Sequence, residues 1–178
     1  MGRESPAGNR VLAATADDCT LVAVSGAATF RLAPAFKQAT QAAKLAGSAL
    51  IVVDMADCLS MDSTFMGAIA SLGFSARKSE TTRLVFINLA RHAAALLKGL
   101  GVDRILTIYP AGALPEGLGD LSVLEQSLRP VESAAASAHD MAALMYDAHE
   151  TLARVDPANL QRFKDVLAFL RDDLRRLP

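Results

Sequence analysis

The chain has 178 residues, enough for one ordinary domain with an appendage and a real hydrophobic core. Hydrophobic residues make up 52% of it but aromatics only 5%, because alanine supplies much of the apolar count and leans the chain towards helix. A formal net charge of −1, with scattered basic residues, argues against a nucleic-acid binder.

The opening MGRESPAGNR has neither the apolar core of a secretory leader nor the Ser or Thr that a myristoylation signal needs where Pro6 stands, so residues 1–10 are expected to form a flexible polar tail. No apolar run approaches the roughly 20 residues that span a bilayer, and a cytoplasmic location without membrane contact is expected. Cys19 and Cys58 are too few for a zinc site and read as reduced thiols.

Val11 to Thr15 and Leu21 to Ser25 are predicted as strands joined by a tight turn at Asp17-Asp18. Leu32 to Leu45 has helical spacing, with Pro34 in its first turn and Gly47 after its end. Ala49 to Val53 (ALIVV) is continuously apolar, which predicts a strand covered on both faces. A loop is expected from Asp54 to Met61, and then a helix from Ser63 to Arg77 with Phe65, Met66, Ile69 and Leu72 on its apolar face. Arg83 to Asn88 is a further buried strand, Ala90 to Leu100 a helix ended by Gly101, and Ile105 to Tyr109 a short last strand stopped by Pro110.

The predicted order is β-β-α-β-α-β-α-β. It implies an α/β domain over residues 11–110, with a mixed sheet of four to five strands and flanking helices. Residues 111–130, rich in Gly, Pro and Leu, read as a linker or packed loop. Residues 131–178 read as a C-terminal helical hairpin. Its first helix carries the stripe Met141, Leu144, Met145, Ala148, Leu152 and Val155. Its second opens at Asp156-Pro157 and carries Leu160, Phe163, Leu167, Leu170 and Leu174. The stripes can be buried on the domain, on a second copy or on a partner. Packing at least partly on the domain is expected, with the C-terminal helices also offering a homodimer or partner surface.

Function in an open α/β sheet gathers where strands end and helices begin, and the segment Asp54 to Gly67 (DMADCLSMDSTFMG) is such a place. Asp62, Ser63 and Thr64 can each cap a helix, so Ser63 has a purely structural reading. The run IVVDMADCLSMDSTFMGAIASL, together with RLVFINL and LLKGLGVDRILTIY, resembles the STAS domains of the anti-sigma factor antagonist (anti-anti-sigma factor) family, in the variety with a C-terminal helical extension. The resemblance covers Val11 to Tyr109. It implies that the unphosphorylated protein binds an anti-sigma factor with a histidine-kinase-like ATPase fold. That partner would phosphorylate Ser63, and a metal-dependent serine/threonine phosphatase would reverse the modification. The docking surface it implies is Asp54, Asp57, Asp62, Ser63, Thr64, Phe65, Met66 and Gly67. Where the best-known members carry glycine, this chain has Phe65, which is either an outward anchor or an inward core residue.

Charge along the chain fits such a switch. No basic residue lies between Lys44 and Arg77, whereas Asp54, Asp57 and Asp62 do. A phosphate would add about 1.5 to 2 negative charges there, and a helix N-terminus would still tolerate it.

Three other readings compete. A response-regulator receiver would use Asp54 and the acidic pair Asp17-Asp18, but a strand follows that pair and no lysine stands near Tyr109. An enzyme would need a constellation that is missing: Ser63 lacks the Gly-x-Ser-x-Gly elbow, no glycine-rich phosphate loop is present, and His92, His139 and His149 read as solvated helical residues without metal spacing. No catalytic residue, cofactor or metal is therefore expected. A scaffold in which Ser63 stays unmodified is the third.

Overall fold

Residues 8–177 are described by the computed structural model; the tail up to residue 7 and Pro178 lie outside the described residues. The chain opens on a hairpin, β1 (Arg10–Ala16) and β2 (Cys19–Ala28), closed by the pair Ala16–Cys19. Asp17 makes the turn at φ 51°, a left-handed conformation that Asp tolerates better than most residues. Residues 8–10 are already tied down. Asn9 Oδ1 accepts from Ala27 N at 2.8 Å, Ser25 Oγ donates to Gly8 O, and Arg10 starts β1.

Helix α1 (Ala33–Leu45) follows, then β3 (Leu50–Met61), α2 (Ser63–Arg77), β4 (Arg83–Leu89) and α3 (Arg91–Gly99). Gly101 at φ 72° ends α3 and leads into a single 3-10 turn, Val102–Ile105, before the edge strand β5 (Ile108–Pro110). The chain then forms α4 (Ser122–Ser127), β6 (Arg129–Pro130) and the hairpin of α5 (Ala138–Val155) and α6 (Ala158–Arg176). The sheet order is β5-β4-β3-β2-β1-β6. Strands β2 to β5 run parallel, and β1 is antiparallel to both its neighbours.

The sheet is thus mixed and flanked by helices as predicted, but it has six strands rather than four or five. Two expectations about its edges fail for identifiable reasons. The loop placed at Asp54 to Met61 is strand. Because β2 runs on to Ala28, it offers a long edge, and β3 follows it through Ser25–Asp57, Gly26–Cys58 and Ala28–Met61. Two register shifts along this stretch break the apolar alternation, and that break is what disguised it. The apolar run Ile105 to Tyr109 is divided: Ile105 and Leu106 pack into the core from the 3-10 turn, and Pro110 is the last residue of β5, where the strand stops. Proline costs no ladder bond on an edge strand.

The continuous apolarity of β3 and β4 does reflect cover on both faces. Val22, Val24, Ile51, Val53, Met55 and Phe86 point into the main core beneath α1, α2 and α3. Leu21, Val52, Val85 and Ile87 point to the opposite face, where Leu124 of α4 covers them, with Leu118, Leu121 and Leu128 around it. Residues 111–130 therefore do a helix layer's work. Among the described residues no helix is long and apolar enough to cross a membrane, and no group of His, Cys, Asp and Glu is placed to hold a metal ion.

Candidate functional site

Asp62 builds the site. It is the N-cap of α2, and its Oδ1 accepts from Phe65 N at 2.8 Å. Its Oδ2 accepts from Phe30 N at 2.7 Å, which pins the loop leaving β2 to the start of α2. With Asp62 as cap, Ser63 becomes the first residue of the helix and its hydroxyl is released for another partner.

That partner is His149. The Ser63 hydroxyl and His149 Nε2 are 2.9 Å apart, and His149 Nδ1 lies 2.7 Å from Met145 O. A carbonyl only accepts, so the Nδ1–H donates to it. In the neutral ring Nε2 is then the acceptor and Ser63 the donor. His149 is only 3% exposed and its ring meets Phe163 edge-on, with centroids 4.9 Å apart. The expectation of a solvated helical histidine is wrong for His149. It sits where α5 crosses α2, and both ring nitrogens are satisfied. His92 is exposed and its Nε2 donates to Leu59 O at 3.0 Å, while His139 is half-buried.

Burial along α2 shows how closely α5 lies. The run Thr64 to Ala70 is buried without a break, which a helix covered on one side cannot show. At Gly67 a Cβ would collide with the backbone of Ala148, so glycine is what allows the two helices to cross this closely. Phe65 is fully buried and packs its ring against Phe36 at 4.9 Å between centroids. It belongs to the core, not to an outward anchor.

The other residues expected at the docking surface are split. Asp54 is 3% exposed; its Oδ1 accepts from Ala56 N at 3.0 Å and from Asn88 Nδ2 at 2.9 Å. Asn88 has φ 57°, at the point where β4 and β5 lose register. Thr64, Met66 and Gly67 are buried, whereas Asp57, Asp62 and Ser63 are half-buried. The structure therefore brings Asp62, Ser63 and Thr64 together at one helix start, keeps Asp54 inside, and adds His149, which sequence reasoning missed. A signal existed. Helix α2 carries no charged residue before Arg77, and a helix so poor in charge is covered over most of its surface.

Cys19 and Cys58 are both free. Burial pushes both thiols up, and Asp18 adds to the effect at Cys19, so neither has the character of a reactive thiolate.

The family described as Mlab, STAS domain matches residues 11–108, more than half of the chain. No curated protein matches it. Among solved structures, the crystal structure of an anti-sigma factor antagonist from Mycobacterium paratuberculosis superposes with a TM-score of 0.51 at 21% identity, covering 59% of this chain and 88% of that one. The NMR structure of the protein TM1081, from Thermotoga maritima, gives 0.50 at 20% identity and covers 62% and 84%. At these identities the likeness is one of fold.

Proposed function

The chain belongs to the STAS-domain family, and from that membership we propose that it is a cytoplasmic signalling protein of the anti-sigma factor antagonist kind, switched by phosphorylation of Ser63. Its partner is an anti-sigma factor with a histidine-kinase-like ATPase fold, which it binds through the start of α2 while Ser63 is unmodified. The partner phosphorylates Ser63, and a metal-dependent serine/threonine phosphatase restores the free hydroxyl. The chain itself binds and performs no catalysis.

One observation carries this reading: Asp62 caps α2, so the Ser63 hydroxyl is not consumed as a cap. A phosphate there would sit at a helix N-terminus, whose N–H groups and dipole favour an anion, and beside the carboxylate of Asp62. It would change the surface and leave the fold standing. The Ser63–His149 pair has the spacing of a nucleophile and its base, but the imidazole is buried against Phe163 and its second nitrogen is held by a backbone carbonyl. Its work is to hold α5.

A second reading is favoured by that same bond: Ser63 is a permanent tether and the chain is an unmodified scaffold. Binding separates the two. With the purified anti-sigma factor, isothermal titration should show the wild type and Ser63→Ala binding and Ser63→Asp losing at least about tenfold in affinity, the cost of like charges brought together. Equal affinity for wild type and Ser63→Asp would leave the scaffold.

A further inference from the structure

Helix α5, with α6 packed on it, lies over the residue that the proposed switch must expose. The Ser63–His149 bond, at 2.9 Å, leaves no room along that line for a phosphoryl group, and esterifying the oxygen removes the proton that Nε2 accepts. Both changes act against the docked position of α5.

The hairpin is also built to leave as a unit. Helix α5 begins with a capping box made within the hairpin, Ser137 with Asp140, and α6 is begun by Asp156 Oδ1 accepting from Ala158 N at 3.0 Å. Neither device needs the domain. Residues 132–137 carry no regular structure and join the hairpin to Val131, whose N–H is bonded to Val11 O at the sheet edge. At the far end Leu152, Val155 and Phe163 pack against the main core, and the polar ties are few. Asn159 Nδ2 donates to Leu100 O at 2.9 Å, Arg162 to Gly99 O at 3.1 Å, and Arg104 pairs with Asp156 at 3.0 Å.

Resting on the reading of Ser63 given above, we propose that α5 and α6 form a displaceable cover over Ser63, latched by His149, and that Ser63 carries a phosphate only when this cover has swung away. In the unmodified protein the C-terminal helices compete in cis with the partner, which binds the start of α2 only in the fraction whose cover has swung away. In the phosphorylated protein it is the charge on Ser63, not the cover, that repels the partner. Phosphorylation traps the open form, and removing the phosphate lets the latch close again.

Hydrogen exchange read by mass spectrometry on the full chain tests this without any kinase. Ser63→Asp and His149→Ala should each speed exchange across α5 and α6 by about tenfold while β3 and β4 keep their wild-type rates, as expected for local opening. Ser63→Ala, which removes the bond without adding bulk or charge, should have the smaller effect. Unchanged or slower exchange in Ser63→Asp would mean that His149 clamps the added charge, and would overturn the proposal. So would acceleration of the sheet together with the hairpin in both variants. The kinase is absent, so a negative result leaves the phosphorylation reading standing. A positive result combined with no phosphate on Ser63 defeats that reading alone.

Discussion

At the scale of single residues, Asp62 and Ser63 are adjacent but have opposite duties. Asp62 satisfies two backbone N–H groups on two different elements, whereas Ser63 makes one bond to a side chain far along the sequence. Removing the Asp62 carboxylate loses a cap and a charged hydrogen bond, so Asp62→Ala should cost about 2 to 3 kcal/mol. Ser63→Ala should cost about 1 kcal/mol, since it leaves only His149 Nε2 without its donor. Urea unfolding at unchanged slope gives both values. If Ser63→Ala proved the more damaging, Ser63 would be the structural cap and the account of the site would be wrong. The sequence alone left Asp, Ser and Thr all able to cap, with Ser63 itself the plain structural choice. The choice is settled by Phe30, whose N–H needs an acceptor and stands in a different loop. His149 was missed for a similar reason: the charge-poor surface of α2 signals a cover, but its partner lies 86 positions away and nothing local says which residue supplies that cover.

At the scale of elements, the long periodic helices were legible nearly to their ends. Helix α2 begins and ends where its spacing predicts, at Ser63 and Arg77. The short and irregular elements were not. The second half of β3 owes its strand conformation to the length of β2 beside it, and β6 is only two residues long. The hairpin carries a pH dependence that follows from its caps. The Asp140 carboxyl is held below its usual value first by the Ser137 hydroxyl and then by the Ser137 N–H. Asp156 is held down first by the Ala158 N–H and then by Arg104. A carboxylate depressed in the folded state stabilises fully above its unfolded value of about 3.9, and that contribution is lost as the pH falls through the lower folded value. Between about pH 5 and pH 2, amide NMR signals from the first turns of α5 and α6 should therefore move before those of β3 and β4. Loss of the sheet signals first would show that the caps are not the acid-sensitive feature of the chain.

At the scale of the whole molecule, one sheet separates two cores of unequal size, and the chain after β5 serves both. Residues 111–130 close the smaller core through Leu124, and α5 closes the larger one through Leu152, which is fully buried. The C-terminal helices are therefore joined to the domain at the same place where the site stands. This placement ties access to Ser63 to the position of α5; two apolar stripes led to the expectation of packing at least partly on the domain, but they carry nothing that says where on it. Leu160, expected on the buried stripe of α6, is 56% exposed, whereas Leu167 and Leu170 of the same stripe are buried. The claim on which the whole account rests is modification of one hydroxyl. Peptide mass spectrometry of the full chain, incubated with ATP and the proposed anti-sigma factor partner, tests it most directly. The account predicts a single phosphate on the peptide that contains Ser63, abolished in Ser63→Ala and removed by a metal-dependent phosphatase. A chain that stays unmodified at Ser63, or takes its phosphate elsewhere, would contradict it.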